Sequence, residues 1–332
     1  MSENTSKYGM LINIVAVLFI IWGILGIMDA KNYTQSGYST GDDWTVLNIE
    51  EGGPAEAAGM QVGDVVKSTG GIAVTDAKAL GERERASVGE TREIIVERDG
   101  EEVSLQLTYA ALSDEDRTNN LIGSLIGILF VLAGAYSNFK HKSALSGAYA
   151  IFAICFGFLF LGGPYLGTGL FSTLINILST AVVLFSFTAL AIYMLKYPPE
   201  STYNGKLIYA PMFIILAIIV ILEVTQMDNS ATLNMVMRLL FGAFIISYFL
   251  ISLITLIRKY NKADADQKSS RGLTLMLIGT IIGIVPILVY FTINTISPGM
   301  DLPGNDYVLY TFAAIPIFFT MALNKLHANT AS

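Results

Sequence analysis

Long apolar runs dominate this chain and restrict its fold more than any other feature. Each is about 18 to 25 residues, the length a helix needs to cross a hydrocarbon core about 30 Å thick. Of the 332 residues 53% are hydrophobic and 14% charged, against roughly 25% charged in ordinary soluble domains. The chain reads as a polytopic membrane protein. The first run, Tyr8 to Met28, follows Lys7. A cleaved leader would have a shorter apolar core and a small-x-small cleavage site. Met28-Asp29-Ala30 is a poor match, so an uncleaved first span is expected. Seven more are expected at approximately Leu121–Tyr136, Ala144–Gly163, Phe171–Leu195, Leu207–Thr225, Leu233–Ile257, Leu273–Ile296 and Tyr307–Leu323.

Basic residues set the orientation. In an eight-span arrangement Lys7, Lys140, Lys142, Lys196, Lys206, Arg258, Lys259, Lys262, Lys268, Arg271 and Lys325 all fall on one side. The short loops on the other side, 164–170, 226–232 and 297–306, contain no lysine or arginine. Both termini are therefore expected in the cytoplasm, and the interval after the first span outside it, as in a multi-pass protein of a bacterial inner membrane.

That interval is acidic: Lys31 to Arg117 holds eighteen acids against eight bases, leaving a small positive balance on the rest of the chain. An acidic soluble segment on a weakly basic membrane body argues against nucleic acid as a partner and leaves membrane lipids as the natural neighbours. The single cysteine, Cys155, lies inside an apolar run, and the histidines are only His141 and His327. No disulfide framework, metal centre or cofactor is expected.

Within the interval, Trp44 to Asn48 alternates like a strand with a buried face. Pro54 and Gly59 are start and stop signals for a helical turn. Gly63-Asp64 and Gly70-Gly71 mark turns, Thr75 is a cap for a helix from Asp76 to about Ala86, and Arg98-Asp99-Gly100-Glu101 is a hairpin turn. The whole is a small α+β module of about 70 residues. Its strand order, together with Pro54-Ala55-Glu56-Ala57-Ala58-Gly59 and Gly63-Asp64-Val65-Val66, resembles a bacterial PDZ domain. The resemblance implies binding of an extended peptide or protein segment at a sheet edge beside a helix. The implied groove lies between the Trp44–Asn48 strand and the Asp76–Ala86 helix, with Gly41, Trp44, Val46, Lys78, Leu80 and Arg83 as candidate binding residues. The loop 37–43 departs from the family pattern: it carries Asp42 and Asp43 where a peptide carboxylate would be held, which disfavours an anionic C-terminus. The competing use is architectural, as a docking or homodimerisation domain.

No catalytic residues are expected. Neither histidine has a glutamate beside it for a zinc-binding His-Glu-x-x-His helix. Leu145-Ser146-Gly147 lacks the first glycine of a rhomboid-type segment, and no span holds paired aspartates. Two ionisable residues do fall within spans, Glu223 and Arg238, at matching heights near the outer ends of adjacent spans. An intramembrane Glu223–Arg238 pair is expected, either near a ligand pocket or fixing helix packing.

One span, an extracytoplasmic PDZ-like domain and seven more spans resemble the sensor half of ComP-type receptor histidine kinases. Local matches are the basic stretch from Arg258 to Arg271 followed by Gly279, Gly283 and Pro286, and Ala314-Ile315-Pro316 in the last span. The nine residues after Leu323 carry neither a phosphoacceptor helix nor an ATP-binding segment. The fold expected is thus an all-α polytopic membrane bundle of eight transmembrane helices, with a small α+β PDZ-like domain inserted between helices 1 and 2. The expected divisions are 1–30, 31–118, 119–325 and a short tail, 326–332. The function expected is non-enzymatic signal sensing, transmitted to a separate or missing cytoplasmic output partner. The alternative is a scaffold recruiting envelope proteins to a protease or chaperone.

Overall fold

The computed structural model describes residues 2–199, 206–225, 230–297, 300 and 305–330. Helix α1 (Ser2–Asp29) leads into a strand-rich module made of β1 (Thr34–Gln35), β2 (Tyr38–Thr40), β3 (Val46–Ile49), α2 (Pro54–Ala57), β4 (Val65–Thr69), β5 (Ile72–Ala73), α3 (Ala77–Gly81), β6 (Thr91–Arg98), β7 (Glu101–Thr108) and β8 (Ala110–Ala111). A helical body follows: α4 (Asp114–His141), α5 (Ala144–Phe158), α6 (Leu170–Lys196), α7 (Ala210–Thr225), α8 (Ala231–Lys262), α9 (Ala265–Ser270), α10 (Leu273–Ile296), α11 (Asn305–Thr311) and α12 (Ala314–Thr330).

Six helical stretches are long and apolar enough to cross a membrane: Gly9–Asn32, Asp114–His141, Leu170–Lys196, Ala231–Lys262, Leu273–Ile296 and Tyr307–Asn329. Ala144–Phe158 and Leu207–Leu222 are apolar but shorter. At 1.5 Å per residue a 15-residue helix such as α5 rises about 22 Å, less than a hydrocarbon core. Among the described residues, six of the eight expected spans therefore have membrane length, and the other two are shorter apolar helices. The last helix also runs on to Thr330, through the stretch read as a tail; Leu326 is buried and the ring of His327 stacks 4.1 Å from that of His141.

Local chemistry marks the helix ends. Ser113 accepts from the Asp116 amide ahead of three acids in the first turn of α4, which suits the positive end of the helix dipole. Ser143 and Ser146 form a reciprocal capping box that starts α5 immediately after α4 ends at Lys142. At the end of α6, Lys259 of α8 donates to the carbonyls of Met194 (2.8 Å), Leu195 (2.7 Å) and Tyr197 (2.5 Å). Met194 and Leu195 lie in the last turn of α6 and Tyr197 is its C-cap, where carbonyls run out of helical amide donors and a cation is the natural donor.

Aromatic residues fill the bundle core: Phe130, Tyr149, Phe152, Phe156, Phe187, Tyr193, Phe249 and Phe319 are buried together. The Tyr149 hydroxyl donates to the Pro316 carbonyl (3.1 Å) and meets Thr320 Oγ1 (2.9 Å), so its polar end is satisfied inside the apolar core. Helices α4 and α5 approach backbone to backbone at Gly127 and Gly157. A Cβ on either would sit 2.7 Å from the other's carbonyl oxygen. Small residues at such crossings allow the dispersion contacts that hold membrane helices together.

In the module, an antiparallel four-stranded sheet of order β5-β4-β6-β7 packs Val66, Ile94, Val96, Leu105 and Leu107 against Val46, Ala55, Met60 and Val74. The β2–β3 hairpin lies beside it, joined through the Thr45–Val65 bridge and through Val46, whose amide donates to Asp64 O (2.8 Å) and whose carbonyl accepts from Gly63 N (2.9 Å). The β6–β7 turn has positive φ at both Asp99 and Gly100, the geometry expected of that dipeptide. At the base β1 pairs with β8, Thr34 opposite Ala111, which brings the end of α1 next to the start of α4.

Candidate functional site

One sheet edge open to an incoming strand is that of β2, while β5 and β7 are the edges of the four-stranded sheet. Strand β2 pairs only with β3 among the described residues, whereas the main chain around Val46 is engaged on both sides by β2 and the 63–66 segment. The strand read at Trp44–Asn48 is displaced accordingly. It begins at Val46, and Trp44 lies in the hairpin turn with φ +66°, a left-handed conformation unusual for a bulky side chain. The turn is closed by Gly41 N to Thr45 O (2.8 Å), Trp44 N to Gly41 O (3.1 Å) and Thr45 N to the Asp43 carboxylate (3.1 Å). That last bond holds the Asp43 carboxyl below its ordinary range.

The candidate residues divide. Gly41 and Trp44 sit in the turn. Val46 is fully buried in the module core and unavailable to a ligand. Lys78 is exposed on α3 and Leu80 is half-buried. Arg83 lies beyond that helix, which is a single short turn ending at Gly81 instead of extending to Ala86; its cap is Asp76, accepting from Ala79 N, and not Thr75. Arg83 Nη1 donates to Thr69 Oγ1 (2.9 Å) and Thr69 O (3.3 Å). Its charge also reaches Tyr38 of β2, whose hydroxyl is pushed above its ordinary range chiefly by burial, with Arg83 acting in the opposite direction. Gly37, just before β2, has φ +74°, and a Cβ there would lie 2.9 Å from Pro54 Cδ, so only glycine serves.

Arg98 fastens the turn before β4 to β6. Its Nε and Nη2 grip the Asp64 carboxylate at 2.8 and 2.7 Å, and Nη2 also donates to Gly59 O at 2.9 Å. Asp64 is 2% exposed. The Arg98 guanidinium holds its carboxyl below the usual carboxylate range, against the opposing effect of burial.

These motifs are those of a recognised module. The family model for the PDZ domain matches residues 23–108. This part of the chain is a PDZ domain. No curated protein and no solved structure matches the chain. PDZ domains generally bind peptides or proteins, and the usual mode is addition of a strand to a sheet edge.

Among the polar contacts that join the PDZ domain to the helices in the described residues, two sets centre on arginines, and neither was visible in the sequence. At the hairpin tip, Arg238 of α8 donates from Nε to Asp42 Oδ2 (2.9 Å) and from Nη1 to Thr295 O of α10, while Asn234 donates to Asp42 O (3.4 Å). Arg238 was expected to face Glu223, whose side chain lies outside the described residues. At the other contact Arg85 bonds both carboxylate oxygens of Asp29 (3.2 and 3.3 Å), with its guanidinium over the rings of Tyr33 (5.0 Å) and Tyr165 (4.7 Å). The Tyr165 hydroxyl in turn donates to Glu84 (2.6 Å). The carboxylate that departs from the PDZ pattern therefore has an arginine beside it.

Proposed function

We propose that this chain is a non-catalytic sensing module of a bacterial inner membrane, whose PDZ domain takes an extended peptide or protein segment along the outer edge of β2 outside the cytoplasm. The observation that carries the reading is the Asp42–Arg238 pair at 2.9 Å. The hairpin that offers the edge is the same hairpin that grips α8, so a strand added to β2 acts on a helix of the bundle. A ligand changes the bundle only if it favours one packing over another, and a contact strained or released by the ligand supplies such a difference. In this reading a cytoplasmic partner senses the change at the far helix ends, as the resemblance to the sensor half of ComP-type kinases implies. Contacts from Lys140 to Asn324, Lys325 to Ser269 and Lys259 to Tyr197 gather basic residues at the end away from the PDZ domain. That supports a cytoplasmic orientation for this end, and the two short apolar helices then serve as the remaining crossings.

The test is selection of peptide binders against the full chain in nanodiscs, followed by hydrogen exchange with the selected peptide bound. Protection at Tyr38–Thr40 together with altered exchange at the α8 N-terminal turns is the expected result. Binding without protection of β2 would refute the edge site. Protection of β2 with an unaltered bundle would favour a scaffold that recruits envelope proteins and does not signal.

A further inference from the structure

At the end of the bundle away from the PDZ domain a groove of about 700 Å³ opens between α1, the α4–α5 turn and α6. Gly147 of α5 is among the residues lining it, and an added Cβ there would meet no atom within 4 Å. Ile151 on α5 and Phe185 and Ile192 on α6 make the walls apolar. The charged lining residues among those described are Lys142, at the turn ending α4, and Lys196, the last residue of α6. Both are exposed, and among the described residues neither is in an ion pair with a carboxylate.

We infer that this groove binds a phospholipid with an anionic head group from the surrounding bilayer. Three properties select that occupant. The volume falls within the range of built small-molecule sites. The walls suit a hydrocarbon chain, which lies alongside helices of membrane length. Among the described residues the rim presents two cations and no carboxylate, which selects an anionic head group held at the level where the helices end. A soluble phosphate would use the lysines and leave the apolar walls without a partner.

The experiment is native mass spectrometry of the full chain released from nanodiscs containing equal phosphatidylglycerol and phosphatidylcholine. Preferential retention of phosphatidylglycerol is expected. Lys142→Gln or Lys196→Gln should each lower that preference about fivefold and the double variant about thirtyfold, since each surface lysine contributes on the order of 1 kcal/mol toward anionic lipid. The double Lys→Arg variant should keep the preference. Gly147→Leu, whose Cβ would enter open space on the groove lining, should reduce retention of both lipids. An unchanged preference in the double glutamine variant overturns the proposal. So does retention of inorganic phosphate in place of lipid, or a dimer in which a second chain covers the groove.

Discussion

Asp42 and Arg238 lie 196 positions apart in the chain, yet the Asp42 carboxylate is 2.9 Å from the Arg238 guanidinium. Both side chains are about one-quarter exposed, so the pair is neither fully solvated nor deeply buried. In a double-mutant cycle of Asp42→Asn and Arg238→Gln, a coupling of about 1–2 kcal/mol is expected, within the range for directly contacting residues. Thermal unfolding in detergent measures it. Hydrogen exchange across residues 38–49 should quicken in either single variant, and strictly additive singles would show that the contact does no work.

The Asp64–Arg98 pair should govern the acid sensitivity of the PDZ domain. Arg98→Ala leaves a buried carboxylate unpaired and should cost about 3 kcal/mol at neutral pH, measured by urea unfolding. Asp64 has a folded pKa below its unfolded value, so its contribution is fully present above the ordinary carboxylate pKa of about 3.9 and is lost as pH falls through the lower, folded value. In the variant the guanidinium no longer lowers the Asp64 pKa, and burial is opposed by the Gln61 amide, which donates to the carboxylate at 2.8 Å, so protonation is less costly than in the wild type. The stability gap between wild type and variant should therefore narrow on acidification. A gap that widened below about pH 4 would contradict this assignment.

Two glycines of α5 should respond in opposite ways. Gly157→Ala places a methyl 2.7 Å from the Gly127 carbonyl oxygen and should lower stability by about 2 kcal/mol through overpacking. Gly147→Ala meets nothing within 4 Å and should raise it by about 0.5–1 kcal/mol through reduced backbone freedom in the unfolded helix. Paired melting curves of the two variants are the check; equal effects would mean that helix propensity alone is being read.

Arg85→Lys keeps the charge and loses both the two-pronged bond to Asp29 and the planar contact with Tyr33 and Tyr165. Proteolysis within 82–90 should accelerate in the full chain while peptide binding at β2 is retained. Unchanged cleavage would mean that β1–β8 pairing and the Asp42–Arg238 contact hold the domain in place without Arg85.

What the sequence disclosed follows from the range of the forces involved. Pro54, Gly59 and Asp99-Gly100 act on their own backbone, and each marks the expected turn. The apolar runs located the helices because burial is set by composition over many residues. Strand β2 escaped because three residues between Gly37 and Gly41 carry too little periodicity to outweigh two turn formers. Helix α3 was overextended because Gly81 ends it before the charged stretch that follows. Val46 obeys the alternation expected of it, but its inward face meets the core and not a ligand. The partners of Asp42 and Arg85 depend on how the domain seats on the bundle, and neither spacing nor charge count encodes that.

Helix α8 holds the PDZ hairpin at Arg238 and the last carbonyls of α6 at Lys259. Twenty-one residues separate these two grips, a rise of about 32 Å, close to the thickness of a hydrocarbon core. No proline interrupts the stretch. The helix is consequently a push-rod clamped at each end by a single cationic side chain. A tilt or rotation imposed at one clamp must either reappear at the other or break one of them, so a load on the hairpin is felt at α6 through this one helix.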